Sequence, residues 1–139
     1  MKQLEALASR AARVDSGNGY YSTGADAEVA LRRLTGSQAD QQPFPVDPTR
    51  PGDMTGGRKV DAWDPLTRTA YESKSGYVIE ARLTETLEQV RKDEALLAAG
   101  EYADVEWHFF ASQAGTVGAD VRILDALDDA GIPYVLHLP

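Results

Sequence analysis

Three residues in one short stretch have the types and spacing to do chemistry: Asp61, Glu72 and Lys74. They lie within Arg58-Lys-Val-Asp-Ala-Trp-Asp-Pro-Leu-Thr-Arg-Thr-Ala-Tyr-Glu-Ser-Lys-Ser-Gly76. Glu72 and Lys74 are two apart, so on a strand they point to the same face. At ~3.3 Å per residue their Cα atoms are about 6.6 Å apart. A turn at Asp64–Thr67 brings Asp61 near Arg68–Ala70, within about one diagonal neighbour of Glu72. Two carboxylates a few ångströms apart repel unless a cation lies between them. Mg²⁺ or Mn²⁺ suits that position, because both take oxygen ligands and keep several waters. A lysine beside such a cation can orient or deprotonate a water, or stabilise charge on a phosphate. The plainer alternative is a surface hairpin with a cross-strand ion pair.

The elements that must position these residues follow from the pattern around them. Arg58–Trp63, with Val60 and Trp63, suits a pleated strand. Pro65 pre-sets φ for a turn, and the Asp64 carboxylate can bond back to the turn backbone. Arg68–Ser73, with Thr69 and Tyr71, runs extended, and Gly76 ends it. A long helix is expected at about 80–99, with Leu83, Leu87, Val90 and Leu97 as its apolar stripe and Gly100 closing it. Ala103–Ser112 reads as a buried strand through Val105, Trp107, Phe109 and Phe110. His108 within it reads as a packed, hydrogen-bonded side chain rather than a catalyst. A helix at about 118–130, with Val121, Leu124 and Leu127 inward, and a strand at 132–138 complete the chain. Upstream, 2–14 has helical spacing through Leu4, Leu7, Ala8, Ala11 and Val14. A second helix is expected at about 26–35, with Val29, Leu31 and Leu34 on its apolar side. Residues 36–57 are irregular and rich in Pro and Gly, a length often tied to function, with a short strand near Phe44–Val46. The order is that of an α/β protein.

Composition sets bounds. At 139 residues and 42 % hydrophobic content the chain makes one domain with a sizeable core. Its parts are a helical segment 1–35, the irregular 36–57 and an α/β core 58–139. No apolar run approaches the ~18 residues of a membrane span, and Met1-Lys-Gln-Leu-Glu5 lacks a signal peptide's apolar region. The absence of cysteine excludes disulfides and thiolate zinc sites. Two histidines, His108 and His137, argue against a histidine-rich metal site. The net charge of −8 runs against non-specific phosphate binding. It is uneven, however: Arg58, Lys59, Arg68, Lys74, Arg82, Arg91 and Lys92 bring the 58–92 segment close to neutrality.

Asp61 followed by Glu72-Ser73-Lys74 across a hairpin resembles the PD-(D/E)XK signature of restriction-endonuclease-like nucleases. The form Arg58-Lys-Val-Asp61 … Glu72-Ser-Lys-Ser-Gly76 is similar to the C-terminal nuclease domains of bacterial polymorphic and contact-dependent toxins. The resemblance covers roughly 58–139 and departs from the family formula at Val60, where proline is often found. It implies an α/β fold with a restriction-endonuclease-like core, a small mixed sheet whose catalytic hairpin is flanked by helices. It implies Mg²⁺ or Mn²⁺ held by Asp61, Glu72 and the Ser73 backbone carbonyl, with Lys74 acting on the water. In such folds the preceding helix sometimes adds a carboxylate, here Glu28. The alternative for Glu28 is a first-turn residue favoured by the helix dipole. A Gln one or two turns into the following helix approaches the site in related nucleases. Gln89 is that candidate, with an idle exposed Gln as the alternative. Arg58, Lys59 and Arg82 are the candidate substrate contacts.

The function implied is a metal-dependent endonuclease, a bacterial toxin effector acting on DNA, with a cognate immunity protein as partner. It would be delivered and would act in the target-cell cytoplasm, and Met1 would then begin a domain cut from a longer chain. The alternatives are an RNA- or tRNA-cleaving toxin, a housekeeping repair-type nuclease in the cytoplasm, and a non-catalytic nuclease-like binding domain.

Overall fold

The structure is a computed structural model that describes residues 8–17, 19, 21, 23–39, 44–45, 57–78, 80–113 and 116–139. Its centre is a five-stranded sheet in the order β1-β9-β7-β5-β4. These strands are Arg13–Asp15 (β1), Ala62–Asp64 (β4), Thr69–Ser75 (β5), Asp104–Phe110 (β7) and Tyr134–His137 (β9). β5, β7, β9 and β1 run parallel, and β4 is antiparallel to β5. Two small ribbons stand apart: β2 (Phe44–Pro45) with β3 (Gly57–Arg58), and β6 (Tyr77–Val78) with β8 (Gly118–Ala119). The helices are α1 (Gly24–Thr35), α2 (Leu83–Ala98) and α3 (Val121–Ala130), with a 3₁₀ turn at Glu80–Arg82. The α/β class and the mixed sheet are as expected.

Register divides the sheet into two faces. Trp107 lies between Glu72 on β5 and Tyr134 on β9, and Phe109 between Lys74 and Leu136. Side chains at paired positions share a face, so Glu72 and Lys74 point to the side packed by α2 and α3. Trp107, Phe109, Tyr134 and Leu136 are buried there with Val90, Leu96, Ile123 and Leu127. Burying each large apolar side chain contributes about 1.5–3 kcal/mol. The opposite face meets α1 through Ala27, Ala30, Leu31, Ala62 and Phe110. α1 is capped by Thr23 Oγ1, which accepts from the Asp26 amide at 3.0 Å. Gly76, at φ 74°, turns the chain out of β5.

Several expectations are corrected. Residues 13–15 are not helical: Val14 joins the sheet edge beside Leu136, and among the described residues before it only 8–10 are helical. The first hairpin strand is Ala62–Asp64 rather than Arg58–Trp63, because Arg58 pairs with Phe44 instead. On α1 the outward residues are Val29 and Leu34, half exposed, while small alanines make the contact. On α2 the buried positions are Thr86, Val90, Asp93 and Leu96, with Leu83, Leu87 and Leu97 only partly covered. Val121 faces outward at the start of α3, which begins after the Asp120 cap. His108 is packed and hydrogen-bonded, as read from sequence. Most of the irregular 36–57 segment, and the early part of the 2–14 helix, lie outside the described residues.

Candidate active site

The β4–β5 turn fixes the site's register. Asp64 Oδ1 accepts from the amides of Leu66 at 3.0 Å and Thr67 at 3.4 Å, so the carboxylate folds back onto the turn as expected. Arg68 adopts φ 57°, which lengthens the connection to Pro65–Arg68 and pairs Asp64 with Thr69. Extending that register by three residues sets Asp61 opposite Glu72, rather than near Arg68–Ala70. The shift is by two residues, so it keeps Asp61 on the Glu72 face. It converts an expected diagonal relation into a direct one.

Asp61 stands where β4 has not yet begun. The Ser73 amide therefore lacks a ladder partner from β4 and donates to Asp61 Oδ2 at 2.8 Å. In an extended strand a residue's N–H and C=O point toward the same neighbour. The Ser73 carbonyl thus faces the Asp61 side, consistent with its expected role as an oxygen ligand. Arg32 Nη1 on α1 donates to the Asp61 backbone oxygen at 3.0 Å, fixing this corner from the other face.

The carboxylates crowd. Asp61 lies within hydrogen-bonding reach of both Glu72 and Glu28. Its pKa is pushed up to about 9, first by burial, then by the negative charge of Glu72 and the contact with Glu28, against the pull of the Ser73 amide. Burial also works against ionised Glu72, but Arg58 and then Lys74 outweigh it and hold that carboxyl below its usual range. Glu28 thus comes to the same corner, as a carboxylate added to the site by the preceding helix would.

Lys74 completes the group. Its Nζ lies 2.9 Å from Glu72 Oε2, donates to Gln89 Oε1 at 2.6 Å and sits 5.4 Å from the centre of the Trp107 ring. Gln89, on α2, therefore meets Lys74 on the same side of the sheet. Asp61, Glu72, Lys74, Gln89, Ser73 and Glu28 are therefore brought together.

The substrate candidates divide. Lys59 and Arg82 are exposed. Arg58 is corrected: it is only 4 % exposed, and its donors are spent on internal partners. Nε reaches Asp93 Oδ1 at 2.9 Å, Nη2 reaches Glu72 Oε1 at 3.0 Å and Asp93 Oδ2 at 3.2 Å, and Nη1 reaches the Lys59 carbonyl at 2.8 Å. Asp93 was not singled out by sequence. It is fully buried on α2 and also accepts from Trp107 Nε1 at 3.0 Å and Tyr102 Oη at 3.3 Å. A signal was present: Thr86, Val90, Asp93 and Leu97 recur at helical spacing, which places an acid within the apolar stripe.

Among the described residues, no group of three or more His, Asp or Glu side chains is arranged as a ready metal cage. The available donors are all oxygen: Asp61, Glu72 and the Ser73 carbonyl, with Glu28 against Asp61. That set fits a hard divalent cation that retains several waters, and fits zinc or copper poorly. No protein-family model matches the chain, and neither a curated protein nor a solved structure shows a significant match to it.

Proposed function

We propose that this chain is a metal-dependent nuclease that hydrolyses phosphodiester bonds, built on a restriction-endonuclease-like core. The observation that carries the reading is the pairing of half-buried Asp61 with buried Glu72, two carboxyl groups in contact, with Lys74 at 2.9 Å from Glu72. A stable core alone gains nothing from a carboxyl whose ionisation is opposed both by burial and by the charge of Glu72.

Asp61, Glu72 and the Ser73 carbonyl would hold Mg²⁺ or Mn²⁺, with Glu28 beside them. When bound, the cation supplies charge stabilisation at the scissile phosphate. The chain's own residues do the rest. Lys74, held by Gln89, places its Nζ to orient or activate the attacking water. Trp107 and Phe109 close the floor beneath Lys74 and keep bulk water from that side. Lys59 and Arg82 are exposed cations available to phosphates.

The substrate proposed is DNA ahead of tRNA. The toxin-like form of residues 58–76 supports a delivered effector that acts in the target-cell cytoplasm and is neutralised by an immunity protein. Among the described residues no helix is long and apolar enough to cross a membrane. A second reading has one observation in its favour. Both oxygens of Glu72 are already paired, one to Arg58 and one to Lys74, as in an internal ion-pair staple of a non-catalytic domain.

Incubation of the purified protein with plasmid DNA and with total RNA, in Mg²⁺, Mn²⁺ or EDTA, separates the two. Cutting of one substrate that EDTA abolishes supports the nuclease and identifies its target. Inert protein in every metal favours the staple.

A further inference from the structure

Arg58 and Asp93 form a pair that the proposed chemistry does not use directly. Arg58 lies on β3, outside the five-stranded sheet, and Asp93 on α2. The guanidinium spans them: two contacts to Asp93, at 2.9 and 3.2 Å, and one to Glu72 Oε1, at 3.0 Å. A planar fork with fixed donor directions can hold two carboxylates at once, where a flexible ammonium cannot. Asp93 is itself held from behind by the Trp107 indole and the Tyr102 hydroxyl. Gln89 and Asp93 are four apart on α2, on one face. Adjacent turns of one helix therefore serve the two working residues: Gln89 holds Lys74, and Asp93 holds Glu72 through Arg58.

Buried ion pairs of this kind contribute little net stability, because desolvation offsets attraction, and well-packed apolar residues often do as well. What the arrangement does accomplish is directional. It fixes one oxygen of Glu72 and leaves Oε2, the oxygen that Lys74 contacts, at the Lys74 side. Asp93 also neutralises Arg58, whose charge would otherwise oppose a cation beside Glu72.

We propose that Arg58, anchored by Asp93, is a positioning residue for the metal site, holding Glu72 by Oε1 so that Oε2 is presented to a divalent cation. The proposal rests on the nuclease reading. Groups that orient metal ligands typically change affinity or activity by 10–100-fold when altered.

The test is calorimetric titration of Mn²⁺ into wild-type protein, Arg58→Lys and Asp93→Asn, with circular dichroism to verify folding and with cleavage followed against Mn²⁺ concentration. Arg58→Lys keeps the charge and loses the fork. Asp93→Asn keeps the shape and frees the Arg58 charge. The expected result is Mn²⁺ binding weaker by about tenfold or more in each folded variant, with cleavage shifted to higher Mn²⁺ and recovered near saturation. A purely structural role would lower the melting temperature and leave Mn²⁺ affinity of the folded protein alone. Wild-type affinity in either folded variant overturns the proposal. Unfolding of both also overturns it, making the pair a staple of the fold. Wild-type protein that binds no Mn²⁺ and cuts neither DNA nor RNA removes the nuclease reading itself, an outcome distinct from failure of the variants alone.

Discussion

Lys74 on β5 donates to Gln89 on α2 at 2.6 Å while its Nζ lies 2.9 Å from Glu72 on its own strand. One ammonium thus joins the hairpin to the helix that covers it. Gln89 accepts without adding charge, so it fixes Lys74 without drawing it away from Glu72. Replacing Gln89 with Ala frees the ammonium but keeps it in place beside Glu72. Cleavage by Gln89→Ala is expected to fall about tenfold, well short of the roughly 10²–10⁴-fold that removal of a proton-transfer group costs. Initial rates under saturating Mg²⁺ check this, and an effect equal to that of Lys74→Ala would contradict it.

Burial and the charge of Glu72 oppose the ionisation of Asp61 in the metal-free protein. Asp61→Asn removes the group that must hold a proton there and keeps an oxygen for the Ser73 amide, which donates to Asp61 at 2.8 Å. In EDTA the variant is expected to melt higher than wild type, by on the order of 1 kcal/mol of stability. In Mn²⁺ the order reverses, because wild type gains from metal binding and the variant does not. Paired thermal scans read both, and a variant that melts lower in EDTA contradicts the crowding argument.

The other buried cluster should show its influence in pH. Glu106 Oε1 lies 2.6 Å from His108 Nε2, and His108 Nδ1 lies 2.7 Å from His137 Nε2. His137 Nδ1 is buried without a hydrogen-bond partner, 3.8 Å from Asp15 Oδ2. Burial first, then the neighbouring His108, lowers the His137 pKa to about 4 from 6.5. The folded chain resists a proton that the unfolded chain accepts. Stability from this group is therefore complete above about pH 6.5 and lost as the pH falls toward 4. Denaturant midpoints from pH 7 to 4 should decline more steeply for wild type than for His137→Gln, and parallel profiles would rule the effect out.

Lys59 and Arg82 are the exposed cations expected to meet phosphate. Replacing either with Ala should weaken substrate binding and reduce the salt slope by about one unit, with Mn²⁺ affinity unchanged. Binding to a cleavage-resistant oligonucleotide at several salt concentrations measures this, and an unaltered slope removes the residue from the interface.

How much the chain revealed in advance depended on whether local chemistry or distant pairing decided the outcome. The Asp64 turn and the Glu72–Lys74 face follow from turn chemistry and strand alternation, both local rules, while the approach of Gln89 was implied by the family resemblance. The exact partner of Asp61 did not, because Arg68 takes a left-handed conformation that a non-glycine residue seldom adopts. β1 escaped notice because three residues at a sheet edge are set by pairing with β9, more than a hundred residues later in the chain. Arg58 was misread and Asp93 overlooked for a shared reason: each is a charge that composition assigns to the surface, and only its partner makes burial possible. On α1 the alanines, not Val29 and Leu34, meet the sheet, since close approach of helix and strand favours small side chains.

The central claim is that the Asp61–Glu72–Lys74 group breaks phosphodiester bonds with the help of a bound divalent cation. Single-turnover cleavage of the preferred nucleic acid by wild type, Asp61→Ala and Lys74→Ala, each in Mg²⁺ and each verified as folded, tests it most directly. The expected result is cutting by wild type alone, with loss of about a hundredfold or more in both variants. Undiminished cutting by either folded variant would contradict the assignment of the site.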